Sequence, residues 1–202
     1  LSRPISLIRK GNVCVPDYTL TSAPPLAGTD ITIGGARLTA PADLAVVSIA
    51  LPLGGEAAAQ KAIKTAFGTA LPEVGKSAIG KNGARLVRLG RDQAFVLFIH
   101  ATPDAEAVVA ARLKGKAYTT DQTDVWCALE ISGPDSRAAL ERICPLDLHP
   151  QAFAVDDAAR TSMEHLGTLT IRTGENAYLL MSASSSAGSF LHAVETSIKN
   201  IN

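Results

Sequence analysis

The sequence holds no run approaching the roughly 18 consecutive apolar residues of a membrane-spanning helix. Its opening, Leu1 to Gly11, carries basic residues without the apolar stretch that follows them in a signal peptide. These absences set the expectation of a cytoplasmic protein with no membrane partner. Charge of one sign is lacking too, since 19 Lys and Arg balance 19 Asp and Glu. No global basic field is therefore available to hold nucleic acid. Cysteine is scarce and odd in number: Cys14, Cys127 and Cys144 read as free thiols in a reducing compartment, because a chain of 202 residues buries enough core to stand without staples.

Signature motifs are missing as well. No Gly-x-Gly-x-x-Gly fingerprint for a dinucleotide occurs, and no Gly-x-Ser-x-Gly elbow surrounds Ser182 to Ser186, which read instead as residues opening a helix. Gly75-Lys76-Ser77 has the ending of a phosphate-binding loop, but Ala70 stands where the first glycine is required, and the segment follows a helix. Gly54-Gly55 reads as a plain strand-to-helix turn. Cys127, Cys144, His149 and His165 match no zinc spacing. Cys144 sits at a helix end, where the dipole disfavours a thiolate, so its pairing with His149 as nucleophile and base is not supported. Glu164 and His165 are read as neighbours on a strand, facing opposite sides and unable to act as an acid/base pair. Trp126, the single tryptophan, reads first as core and second as an anchor for a partner.

What is present is an ordinary globular balance, 47% hydrophobic and 19% charged, organised by turns. Residues 1–43 are rich in Pro and Gly and read as an irregular arm with one small strand at Ile31-Thr32-Ile33, either a tail or a segment laid across a partner. From Leu44 the pattern tightens. A strand at Val46 to Leu51 precedes a helix from Glu56 to Phe67 with Ala58, Ala62, Ile63, Ala66 and Phe67 on its buried face. A hairpin joins Arg85–Leu89 to Ala94–Ile99. A helix then starts at Pro103, capped by Thr102, with Val108, Val109 and Leu113 inward.

The same order recurs: a strand from Val125 to Ile131, a helix from Pro134 to Ile143, strands at Gly167–Arg172 and Ala177–Met181, and a helix from about Ser185 to Ile198. The clearest echo aligns Arg88-Leu89-Gly90-Arg91-Asp92 with Arg172-Thr173-Gly174-Glu175-Asn176. The expected fold is α+β, with duplicated β-α-β-β-α units over residues 44–120 and 121–202. Each unit is small alone, so the two are expected to pack or exchange strands and share one core.

Four stretches carry a family likeness: Thr120 to Trp126, Leu129 to Pro134, Leu140 to His149, and Ala159 to Leu166. Together they resemble the gamma subunits of heterotetrameric sarcosine oxidase, over about Leu44 to the end. That family is in turn similar to the folate-binding domain of glycine-cleavage aminomethyltransferase, itself a duplication. The resemblance implies a non-catalytic subunit in a complex with alpha, beta and delta subunits. That complex oxidatively demethylates sarcosine to glycine, forming hydrogen peroxide and 5,10-methylenetetrahydrofolate. FAD, FMN, NAD, tetrahydrofolate and zinc are implied on the other subunits, with none on this chain. No match to the transferase's folate-contacting carboxylates is found. Asp121, Trp126, Arg160 and His165 are the expected partner contacts. The alternatives are a stand-alone folate-binding one-carbon transferase and a small-ligand-binding regulator.

Overall fold

The computed structural model describes residues 23–101 and 103–202; Cys14 and the cap expected at Thr102 lie outside them. Eleven strands and four helices follow in chain order among these residues: β1 (Asp30–Ile33), β2 (Ala36–Thr39), β3 (Leu44–Ala50), α1 (Glu56–Phe67), β4 (Lys76–Ile79), β5 (Arg85–Arg88), β6 (Gln93–Ile99), α2 (Ala105–Leu113), β7 (Tyr118–Asp121), β8 (Trp126–Ser132), α3 (Ser136–Glu141), β9 (Ala158–Met163), β10 (Leu166–Gly174), β11 (Ala177–Ala183) and α4 (Ala187–Lys199).

Two antiparallel sheets result, ordered β4-β5-β6-β3-β7 and β9-β10-β11-β8-β2-β1. The first five positions correspond one to one, so the duplication read from the sequence is visible as topology. Each unit runs β-α-β-β-β-α, with one more strand than the pattern expected, β4 in the first and β9 in the second. The strand that precedes each unit pairs with the other unit: β2 leads into β3 yet pairs with β8, and β7 leads into β8 yet pairs with β3. This reciprocal exchange crosses the boundary drawn between residues 120 and 121. It also converts part of the expected irregular arm into a hairpin, because Gly34-Gly35 supplies the turn and the backbone N–H of Gly35 donates to Asp135 Oδ2 at 2.7 Å.

The layers run helix, sheet, sheet, helix. One core packs α1 and α2 on the five-stranded sheet through Ile63, Phe67, Val109 and Leu113. A second packs α3 and α4 on the six-stranded sheet through Leu140, Phe190, Val194 and Ile198. A third lies between the sheets, where Val46, Val87, Phe95 and Leu97 meet Leu169, Ile171, Leu179 and Met181. The period-2 alternation of a strand sends successive residues to different cores. Tyr178 and Leu180 face the helices while Leu179 and Met181 face the other sheet. Strands covered on both faces need apolar residues at every position, and this is why β3, β6 and β11 read as continuous apolar runs.

Helix α1 has the expected bounds and stops at Gly68, which is left-handed with φ 72°. Its buried stripe is Ala59, Ile63 and Phe67, with Ala58 exposed, a one-residue phase shift among alanines that carry little directional signal. Helix α2 begins at Ala105 with Asp104 at the N-cap, so Pro103 precedes the helix. Ser186 is the N-cap of α4 without a capping side-chain hydrogen bond. Val125 closes a 3-10 turn before β8 and is not part of the strand.

Candidate functional site

The aligned arginines of the repeat perform one structural task twice. Arg172 Nε donates to Gly174 O at 3.2 Å, Nη2 to Glu175 O at 2.5 Å, and Nη1 to Phe153 O at 2.6 Å. Arg88 repeats the set on Gly90 O at 3.3 Å, Arg91 O at 2.5 Å and Pro72 O at 3.2 Å. A guanidinium with five donors in a fixed fork suits three carbonyls of a tight turn and its neighbouring loop. The second copy is the more enclosed: Arg172 is 3% exposed and lies over the Tyr178 ring at 5.8 Å. Burial pushes the Tyr178 hydroxyl's pKa up, with the Arg172 charge opposing it.

A polar seam joins the sheets where β4 meets the segment before β9. The backbone N–H of Ser77 donates to Asp156 O at 2.6 Å, and that of Ala158 to Gly75 O at 2.9 Å. Lys76 pairs with Asp157, and Arg85 with Asp156 at 2.6 Å. The Gly75-Lys76-Ser77 motif is therefore committed to joining the two halves, with its lysine engaged by a carboxylate. At the start of α1 the carboxylate of Glu56 occupies the amides, accepting from Gly54 N at 3.1 Å. Bonds from the backbone N–H groups of Glu56 and Gly54 hold its carboxyl below the usual range.

A cleft lies between the two units. It has a volume of about 410 Å³ and is lined in part by the 3-10 turns at Thr123–Val125 and Ser184–Ser186. The turns are tied together by Ser184 Oγ, which donates to Asp124 O at 2.7 Å. Leu44, Val46, Trp126 and Met181 form its apolar wall, and Asp43, Asp121 and Asp124 add carboxylates. Asp121 Oδ1 also accepts from Thr123 N at 2.8 Å, which fixes the bend out of β7.

Of the four residues expected to meet a partner, Asp121 and Trp126 line this cleft. Arg160 joins them through Trp126: its guanidinium carbon is 5.9 Å from the indole centroid and 5.7 Å from that of Phe95. The two rings meet edge to face at 6.0 Å. Trp126 is half-buried, not fully in the core, and its indole N–H has no hydrogen-bond acceptor among the described residues. His165 is not brought to this group. Glu164 and His165, read as strand neighbours, form the two-residue turn between β9 and β10 with φ 46° and 68°. Their left-handed conformations lack the Asn-Gly signal that such turns carry, so composition holds no cue to them.

The remaining nucleophile and ligand candidates are occupied structurally. Cys127 is 1% exposed with its thiol pKa raised by burial. Cys144 is buried, its Sγ 3.7 Å from Thr161 Oγ1, whereas His149 is exposed and accepts from Gln151 N through Nδ1 at 3.3 Å. Ser182 Oγ donates to Gly167 O at 2.9 Å. Among the described residues no three His, Cys, Asp or Glu side chains group as metal ligands, and no helix is long and apolar enough to cross a membrane. Sequence reasoning missed the Asp156-Asp157 seam, whose only signal was a pair of acids in a loop. The Arg88 and Arg172 clamps were marked by the echo but not understood.

This architecture defines a class, a duplicated α+β fold shared with an aminomethyltransferase. The glycine cleavage system aminomethyltransferase T from Bartonella henselae matches with a TM-score of 0.58 at 16% identity, over 79% of this chain and 45% of that one. A chain of heterotetrameric sarcosine oxidase from Corynebacterium sp. U-96 matches with a TM-score of 0.71 at 24% identity, over 82% of this chain and 84% of that one. No family model matches. In sequence, the chain is similar to sarcosine oxidase subunit gamma from Arthrobacter sp, 33% identical over 61% of this chain, and from Corynebacterium sp. strain P-1, 33% over 59%. The matched stretches span 62% and 60% of those relatives' lengths.

Proposed function

We propose that the chain is the gamma subunit of a heterotetrameric sarcosine oxidase and carries no catalytic centre of its own. The observation that carries this reading is the agreement of two likenesses, in sequence to gamma subunits and in fold to a chain of the assembled oxidase. In this reading the alpha, beta and delta subunits hold FAD, FMN, NAD, tetrahydrofolate and zinc. The complex oxidises sarcosine to glycine, yielding hydrogen peroxide and 5,10-methylenetetrahydrofolate, in the cytoplasm. This chain contributes architecture: residues 44–120 and 121–202 act as one fused body, locked by strand exchange and the Lys76–Asp157 and Arg85–Asp156 pairs.

The partner surface in this reading centres on Asp121, Trp126 and Arg160, with His165 as a separate contact at the β9–β10 turn. Trp and Arg are the residue types that most often dominate binding at protein interfaces. Purification of the tagged chain from its host should bring larger chains down in fixed proportion. Charge reversal at Arg160 (Arg160→Glu) should reduce their recovery without unfolding the tagged chain. A chain that purifies alone under gentle conditions would overturn the reading, and full recovery with Arg160→Glu would remove Arg160 from the interface.

A further inference from the structure

We propose that the cleft between the two units is a binding site for a small organic cation, an alkylated ammonium or a guanidinium on a short apolar body. The volume of about 410 Å³ is that of a small-molecule pocket. The half-buried indole of Trp126 and the side chains of Leu44, Val46 and Met181 give it an apolar wall fit for methyl or methylene groups. Aromatic faces also attract ammonium groups.

The charge of the lining decides the sign of the guest. Asp43, Asp121 and Asp124 line the cleft, and neither lysine nor arginine does. Its histidine, His100, is paired with Asp104 at 2.7 Å. Among the described residues no lysine or arginine answers these carboxylates: Arg160 lies against Trp126 and Phe95 but is not part of the lining. The Asp121 carboxylate is already oriented by Thr123 N. An anionic guest such as a folate, with its glutamate tail, would meet like charge on the three carboxylates of the wall. The site goes beyond the assembly role proposed above and shares Asp121 and Trp126 with its partner surface, so it belongs to the chain free of partners.

Trp126 is the only tryptophan in the chain, so its fluorescence reports on the cleft directly. Titration of the full chain with tetramethylammonium chloride and with methylguanidinium chloride, against sodium chloride at matched ionic strength, should give a saturable emission change. The double variant Asp121→Asn, Asp124→Asn, which keeps the carbonyl that accepts from Thr123 N, should raise Kd by roughly thirtyfold, the scale of two lost charge contacts in water. Asp92→Asn, in the exposed turn before β6, should leave Kd unchanged. Circular dichroism of each variant guards against misfolding. No saturable change with either cation, a Kd indifferent to the double variant, or calorimetric binding of tetrahydrofolate weakened by neither cation would each overturn the proposal.

Discussion

Replacing Arg172 with methionine keeps the length of the side chain and removes its three hydrogen bonds. Arg172 is 3% exposed and serves the carbonyls of Phe153, Gly174 and Glu175. The bond to Phe153 O is buried, whereas the other two lie in a partly buried turn that water can reach. Leaving a buried acceptor unpaired costs about 1–3 kcal/mol, and a net loss near 1 kcal/mol applies to bonds that water can replace. Loss of the Arg172–Tyr178 stacking adds about 1 kcal/mol. Arg172→Met should therefore destabilise by about 4–6 kcal/mol. At this chain length that lowers Tm by roughly 8–24 °C. Arg88→Met removes the same three bonds from a half-buried site that water can reach, without the stacking, and should cost about 3 kcal/mol. Urea denaturation of both variants, followed by circular dichroism, reads the difference. Equal losses at the two sites, or less than about 1 kcal/mol at Arg172, would refute burial as the origin of the effect.

Other substitutions probe different parts of the fold. Tyr178→Phe should be neutral or stabilising by up to about 1 kcal/mol, because the hydroxyl is buried without a hydrogen-bond partner among the described residues. Its raised pKa means wild-type stability is complete below the unfolded tyrosine pKa and declines as pH rises above it, so the phenylalanine variant should lose less stability in alkaline denaturation. Gly133→Ala should destabilise by roughly 3 kcal/mol or more, since φ is 105° and the added carbon would sit 2.1 Å from Gly35 O, prising the β1–β2 hairpin from β8. Glu164→Asn with His165→Gly should stabilise the isolated chain by about 1 kcal/mol by relieving two left-handed residues. The same pair weakens recovery of the larger chains if His165 meets one of them.

The parts legible in the sequence are those whose apolar pattern is local and strong. Helix α1 stood out by its one buried stripe, and strands β3, β6 and β11 because both their faces are buried. The strands overlooked, β2, β4, β7 and β9, are short and half-exposed, and β2 and β7 each pair with a strand of the other unit. Ala36–Thr39 pairs with β1 next to it and also with Trp126–Ser132, about ninety residues on. The exchange of β2 and β7 was therefore foreseeable as a need for shared core but not as a specific pairing. At the cleft, Asp121 and Trp126 were singled out from their motif, and Arg160 falls beside them because β9 lies across the sheets' shared core. His165 could not be placed, since two consecutive left-handed residues without glycine or asparagine leave no trace in composition.

The most direct measurement of the assembly role is gentle purification of the tagged chain from its host, followed by a visible spectrum and a peroxide assay with sarcosine. Flavin absorption in a complex with larger chains, and peroxide formed only when sarcosine is added, is the predicted result. A colourless chain emerging alone, with no sarcosine-dependent peroxide, would contradict it.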